Sequence, residues 1–256
     1  MLQPHSFLWH YLWLAPHILQ LVLAVLMWRR GLHKLFPVFL AYLIFEASEE
    51  FTLYAMDVTP SVSVDAFWRA FSFGLVIEGI LKCGVVGELF FHLLRSGPAL
   101  AKVGSRLISG AGAVLVLLAT LAAALAPQDP AQYALINRAH ILLQSLYIVE
   151  CGLILFLFLF AAHFKLAWNP RAFGIALGFG ILFSQHMGAW AVMASATWVD
   201  NGHVVDFLNM STYHLCVLIW GYYLLFPQKS ATKSMVPLPE NNLAIWNREL
   251  ERLLQQ

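Results

Sequence analysis

Charge is scarce in this 256-residue sequence. Asp, Glu, Lys and Arg make up 11% of it, where roughly 25% is usual for a soluble domain. Hydrophobic residues take up the difference, at 60% against the usual roughly 45–50%. Apolar surface on that scale cannot all hide in one soluble core, which excludes an ordinary soluble enzyme and a disordered chain. A net charge of +1 leaves no electrostatic footprint for a polyanion, so a nucleic-acid partner is excluded too. Cysteine is nearly missing: Cys83, Cys151 and Cys216 lie in separate apolar runs. An odd number of such thiols is no disulfide framework, and without CxxC or Cys/His clusters there is no zinc motif. Residues Met1 to Ser6 hold no Lys or Arg, so the basic start of a secretory signal is absent. HExxH, GxSxG and a rhomboid-like Ser/His arrangement are absent as well.

What is present is a series of long apolar runs. A hydrocarbon core about 30 Å thick takes roughly 20 apolar helical residues to cross. Seven stretches qualify, near 7–28, 35–56, 67–94, 107–126, 135–163, 172–197 and 206–226. Pro37 and Pro170 open the second and sixth, where a missing N–H costs nothing. The predicted fold is therefore all-α, a polytopic bundle of seven transmembrane helices over residues 1–226.

Basic residues orient it. Arg29, Arg30 and Lys34 follow span one, Arg95, Lys102 and Arg106 follow span three, and Lys165 and Arg171 follow span five. Lys229, Lys233, Arg248 and Arg252 follow span seven. Twelve of fifteen basic residues thus fall on one side, which the positive-inside rule makes cytoplasmic. The N-terminus is then outside, the C-terminus inside, and the protein sits in a cell (inner or plasma) membrane. Residues 227–256 read as a cytoplasmic linker and an amphipathic helix. In that helix, 241–255, Leu243, Trp246, Leu250, Leu253 and Leu254 recur at helical spacing. It is expected to anchor on the inner leaflet or to dock a protein partner.

Against this apolar background, ionisable groups stand out. Each costs roughly 2.5–3.5 kcal/mol at mid-bilayer on insertion scales. Glu46, Lys82, Glu150, His186 and His214 lie near the centres of five different spans. Glu49 and Glu50 share a helix face with Glu46, Tyr42 and Tyr54, and Glu78 is one turn from Lys82 in the favourable i, i+4 order. Glu88 and His92 repeat that spacing. Tyr147 shares a face with Glu150, Trp190 one with His186, and span one adds His10 and His17. Polar faces are affordable in lipid only when they solvate one another, so they are expected to meet in one polar cavity. Lys82 is its expected charge centre, with Glu78 and Glu46 or Glu150 as counter-ions. Span four carries no ionisable residue, and Gly174 and Gly178 form a G-x-x-x-G for close helix approach, internal or intermolecular.

Rhodopsins carry a retinal-linked lysine in their seventh helix, and Phe207 to Phe226 holds none. Seven-span metal hydrolases need a His-x-x-x-His pair late in the chain, and span seven has only His214. The layout resembles the three-plus-one-plus-three arrangement of the SWEET sugar-efflux group: both halves have a basic turn, then a proline (Pro37, Pro170), and Asp65 and Asp206 open their last spans. The whole chain also looks similar to uncharacterised bacterial seven-span integral membrane proteins. The stretches that carry this are Pro4-His5-Ser6-Phe7-Leu8-Trp9, Phe173-Gly174-Ile175-Ala176-Leu177-Gly178, and Asp206 to Met210 with Thr212-Tyr213-His214-Leu215. That resemblance implies a fold and brings no activity.

The expected function is a bundle that binds or transports a proton, an ion or a small ligand at a central polar site. Its candidate residues are Glu46, Glu49, Glu50, Glu78, Lys82, Glu150, His186 and His214. A sensor or assembly subunit acting through a partner is the alternative, and an intramembrane enzyme ranks below both. No catalytic residue, metal ligand or cofactor is assigned from the sequence.

Overall fold

The computed structural model describes residues 5–94, 110, 113, 117, 134–163, 166, 168–193, 202–226, 248 and 251–253. These residues are all-α. Six long helices are α1 (Phe7–Arg29), α2 (Pro37–Asp57), α3 (Val64–Leu94), α4 (Ala134–His163), α5 (Pro170–Met193) and α6 (Gly202–Leu225). One 3₁₀ turn, Leu32–Lys34, joins α1 to α2. They match six of the seven predicted spans to within a few residues. The remaining one, 107–126, lies outside the described residues except for helical Gly110, Ala113 and Leu117. Most of the predicted tail helix is also outside them; Arg248 and Glu251–Leu253 are helical and exposed.

Among the described residues four helices are long and apolar enough to cross a membrane: Phe7–Arg29, Val64–Leu94, Gln144–His163 and Pro170–Ala189. The chain is a helical, multi-pass membrane protein that contacts the lipid bilayer. Helices α2 and α6 have comparable lengths but carry more polar residues, among them Glu46, Glu49 and Glu50 on α2 and Asn209 and His214 on α6.

Local chemistry sets the ends. Ser6 caps α1, accepting the Trp9 N–H at 3.3 Å. Gly31 ends that helix at φ +71°, a left-handed conformation that glycine adopts without strain. Pro37 occupies the first turn of α2, and its N-cap position, Phe36, has no side-chain oxygen to offer. The missing acceptor comes from another helix: the Glu88 carboxylate of α3 takes the Val38 and Phe39 N–H groups at 3.0 and 3.1 Å. One turn on, His92 Nε2 donates to the Leu35 carbonyl at 2.5 Å. The i, i+4 pair read from sequence is thus a staple that holds the α1–α2 turn against α3.

The six helices form a closed ring in chain order, with α6 returning to pack on α1. Contact registers give the directions. Gly79 meets Leu146, Lys82 meets Glu150 and Phe90 meets Phe156 and Phe160, so α3 and α4 run parallel. Trp9 meets Phe207, Gln20 meets Tyr213 and Arg30 meets Leu225, so α1 and α6 also run parallel. The other neighbours are antiparallel. Helices α1–α3 and α4–α6 therefore repeat one sequence of directions around the ring, and a two-fold axis through its centre would exchange them. The paired prolines, Pro37 and Pro170, open the equivalent helices α2 and α5.

Aromatic residues fill the middle. Phe39 and Tyr42 of α2, Phe179 of α5 and Trp220 of α6 are fully buried and meet with ring centroids 5.0–6.2 Å apart. Close approach makes this possible. A Cβ on Gly178 would lie 2.1 Å from Trp220 Nε1, whose N–H donates to Ile175 O at 3.2 Å. The G-x-x-x-G of α5 therefore serves an internal contact with α6, one of the two uses open from sequence.

Candidate functional site

One turn from this aromatic layer, toward the N-terminal end of α1, lies a layer of polar side chains. Lys82 of α3 is its cation and is almost fully buried. Its ammonium pairs with Glu78 on its own helix and lies 3.8 Å from Glu150 of α4. The Phe183 ring of α5 faces it at 5.7 Å, within reach of a cation–π attraction. The local pair follows from helical spacing; the second partner needs the parallel packing of α3 on α4.

Glu46 joins from the other side. On the antiparallel α2–α3 pair, Val38 lies against Gly84 and Glu49 against Gly74. Between those contacts, the register puts Glu46 level with Glu78. Glu46 is buried and feels the charges of Glu78 and Lys82. Its Oε2 has no hydrogen-bond partner, whereas Glu150 Oε2 makes no hydrogen bond but ion-pairs with Lys82. An unmet buried polar atom typically costs about 1–3 kcal/mol, so the layer holds unused binding capacity.

Glu49 and Glu50 extend the site outward along α2. The Glu49 carboxylate occupies the space left by Gly74, while Glu50 accepts the Trp13 indole N–H at 2.7 Å. Farther out, Tyr54 and His10 meet at 3.2 Å, and Gln185 Nε2 donates to Asn209 Oδ1 at 2.7 Å. Polar groups thus continue from Lys82 toward one end of the ring, and the aromatic layer lies on the other side.

The two histidines behave differently from the acids. The His186 ring packs tilted against Tyr147 with centroids 4.2 Å apart, and His214 faces Tyr11 across the α1–α6 seam at 6.1 Å. The Nδ1 atoms of both are buried without a hydrogen-bond partner. Among the described residues no three His, Cys, Asp or Glu side chains are grouped to hold a metal ion.

A second polar group was not legible as a unit. On the α1–α6 seam the Tyr42 hydroxyl lies 3.5 Å from that of Tyr213, Tyr213 donates to Gln20 Oε1 at 2.8 Å, and His17 Nδ1 is 3.3 Å from the same oxygen. The Tyr213 proton is committed to Gln20, so Tyr42 is the donor to Tyr213. Gln20 Nε2 is buried and unpartnered. Tyr42 and Glu46 are one turn apart on α2, which joins this chain to the acidic group. The available signal was Gln20, an amide three residues after His17 inside an apolar helix.

Chemically, among the described residues five glutamates (Glu46, Glu49, Glu50, Glu78 and Glu150) share the polar layer and its outer approach with one lysine, Lys82. Buried carboxylates are neutralised by a proton or a cation when no basic side chain is available. The arrangement is suited to holding positive charge. No family model, no curated protein and no solved structure matches this chain.

Proposed function

We propose that the chain is a seven-span membrane bundle that binds a proton or a small cation at the carboxylate-rich site around Lys82, and that it serves as a transporter. The observation that carries this reading is the surplus of acids over the one buried lysine among the described residues, with Glu46 Oε2 left without a hydrogen-bond partner. Glu46, Glu78 and Glu150 hold the charge, Lys82 sets how many protons or cations are needed, and Glu49 and Glu50 line the outer approach. His186, against Tyr147, borders the site.

Seven spans are favoured by the parallel packing of α3 on α4. Their connection, residues 95–133, has to return the length of the ring, and it contains the apolar stretch 107–126. The basic turns then lie in the cytoplasm, the N-terminus and the open end of the polar layer outside. Residues 227–256 form the cytoplasmic linker and surface helix. The repeated order of the two half-rings favours transport, because parallel repeats related by an axis along the membrane normal are a transporter architecture. The resemblance to bacterial seven-span membrane proteins fits this topology and adds no activity.

One observation favours a second reading. The aromatic layer of Phe39, Tyr42, Phe179 and Trp220 separates the site from the basic end. A sensor that binds from outside and signals through a protein partner on helix 241–255 would have such a floor.

Infrared spectroscopy of the purified protein tests the binding step. A protonated-carboxyl C=O band should be present at neutral pH and change intensity in Glu46→Gln or Glu150→Gln. Wild-type protein in liposomes should then carry protons or potassium along an imposed gradient, and the variants should not. Binding without flux would favour the sensor; no protonated band and no cation response would sink the site.

A further inference from the structure

The α1–α6 seam carries a second feature, on its lipid-facing side. A groove of about 260 Å³ runs between Leu19, Leu23 and Leu26 of α1 and Val217, Gly221 and Leu225 of α6. From Leu19 to Leu26 its length is about 10 Å at helical rise. It is not a by-product of packing two parallel helices. The equivalent α3–α4 seam is filled in its corresponding half by Phe90, Phe156 and Phe160, with centroids 5.0–6.1 Å apart. Here a glycine stands on the wall, and a Cβ on Gly221 would meet nothing within 4 Å.

At the groove's end the chemistry changes. Arg30 is exposed, and its guanidinium donates to the carbonyl of Leu225, itself a groove residue. A guanidinium has five donors in a planar fork, so others remain for a phosphate. Arg29 and Lys34, both exposed, add positive charge at the same level. Trp28, 62% exposed and stacked on His33 at 4.5 Å, marks this level as the headgroup region, where tryptophan concentrates.

We propose that this groove is a binding site for one anionic phospholipid, with an acyl chain between α1 and α6 and its phosphate on Arg30. Charge complementarity selects the occupant: an apolar groove ends at a basic cluster, and none of the described residues that line it is acidic. The site lies one to two turns along the same seam from Gln20 and Tyr213, toward the basic end, with Leu23 and Val217 between it and them. Its existence does not depend on the proposed transport.

The test uses the full-length protein in detergent with added phosphatidylglycerol or phosphatidylcholine, read as Tm and as lipid retained in native mass spectrometry. Phosphatidylglycerol at saturation should raise Tm by ~5 °C and remain bound one per chain, with phosphatidylcholine weaker by at least tenfold. Arg30→Gln should remove the preference for the anionic lipid. Gly221→Leu should fill the groove from within and abolish retention of both lipids, while the lipid-free Tm stays close to wild type. Val22→Trp fills the groove from the α1 wall and repeats the test should Gly221→Leu misfold. Equal responses to the two lipids, a preference that survives Arg30→Gln, or retention that survives both filling variants overturns the proposal.

Discussion

The two places where the ring packs parallel helices side by side solve one architectural problem with opposite chemistry. The α3–α4 seam is ionic: Lys82 sits between Glu78 and Glu150, and phenylalanines close the seam below. The α6–α1 seam is neutral: His17, Gln20, Tyr213 and Tyr42 pass hydrogen bonds, and a groove opens below. The half-rings share a backbone plan, so the difference arises from side chains. Charge has been gathered on one side of the ring, where the proposed cation or proton site lies. The other side keeps the ring closed with groups whose satisfaction needs no counter-ion.

The comparison breaks most visibly at Lys82. Lys82→Met should cost about 3–5 kcal/mol, because it removes one partner of a buried pair and leaves carboxylates facing each other. Adding Glu150→Gln should recover part of that loss in a detergent-unfolding cycle; strictly additive losses would mean that the seam is two independent contacts. The staple at the basic end comes next. Glu88→Ala leaves two N–H groups of α2 without an acceptor and should cost about 1.5–3 kcal/mol. It lies in neither seam, so its effect should add to that of Lys82→Met; coupling would show that the ionic seam extends to the α1–α2 turn. Tyr213→Phe should cost less, about 1–2 kcal/mol, since it deletes two neutral hydrogen bonds, the one to Gln20 and the longer one from Tyr42. A loss as large as that at Lys82 would erase the distinction between the seams. The smallest effect concerns glycine. Gly221→Ala should leave Tm nearly unchanged, whereas Gly178→Ala, whose Cβ would strike Trp220, should cost about 1–3 kcal/mol.

Helix positions were legible because a lipid-spanning run is a long, one-letter signal: six predicted spans coincide with α1–α6 to within a few residues. The Glu78–Lys82 pair was legible for a similar reason, since i, i+4 spacing fixes it without tertiary structure. Glu150 was reachable through depth alone. Glu46 had the right depth but needed the α2–α3 register to show which acid it faces. His186 and His214 have that depth too, yet their clearest partners are tyrosines, because a common depth leaves the angle around the ring unset. Glu88 and His92 were read as partners from spacing. Their contacts are instead with the backbone at the start of α2, where free N–H groups compete for a carboxylate. Gln20 and Tyr213 escaped notice because an amide or phenol in an apolar run costs far less than an ion and raises no alarm.

Ring closure has a consequence for synthesis at the membrane. Chain order brings α1 out first and α6 last, so the seam between them waits for nearly the whole polypeptide to be made. Until then the side chains of α1 on that face meet lipid or neighbouring insertion machinery. Those that wait longest, His17 and Gln20, lie three residues apart and can bond each other within their own helix. Lys82 waits only for α4, and it enters the bilayer with Glu78 already beside it on α3. Each seam thus has its polar groups paired within one nascent helix before its partner arrives, which suits a chain inserted one helix after another.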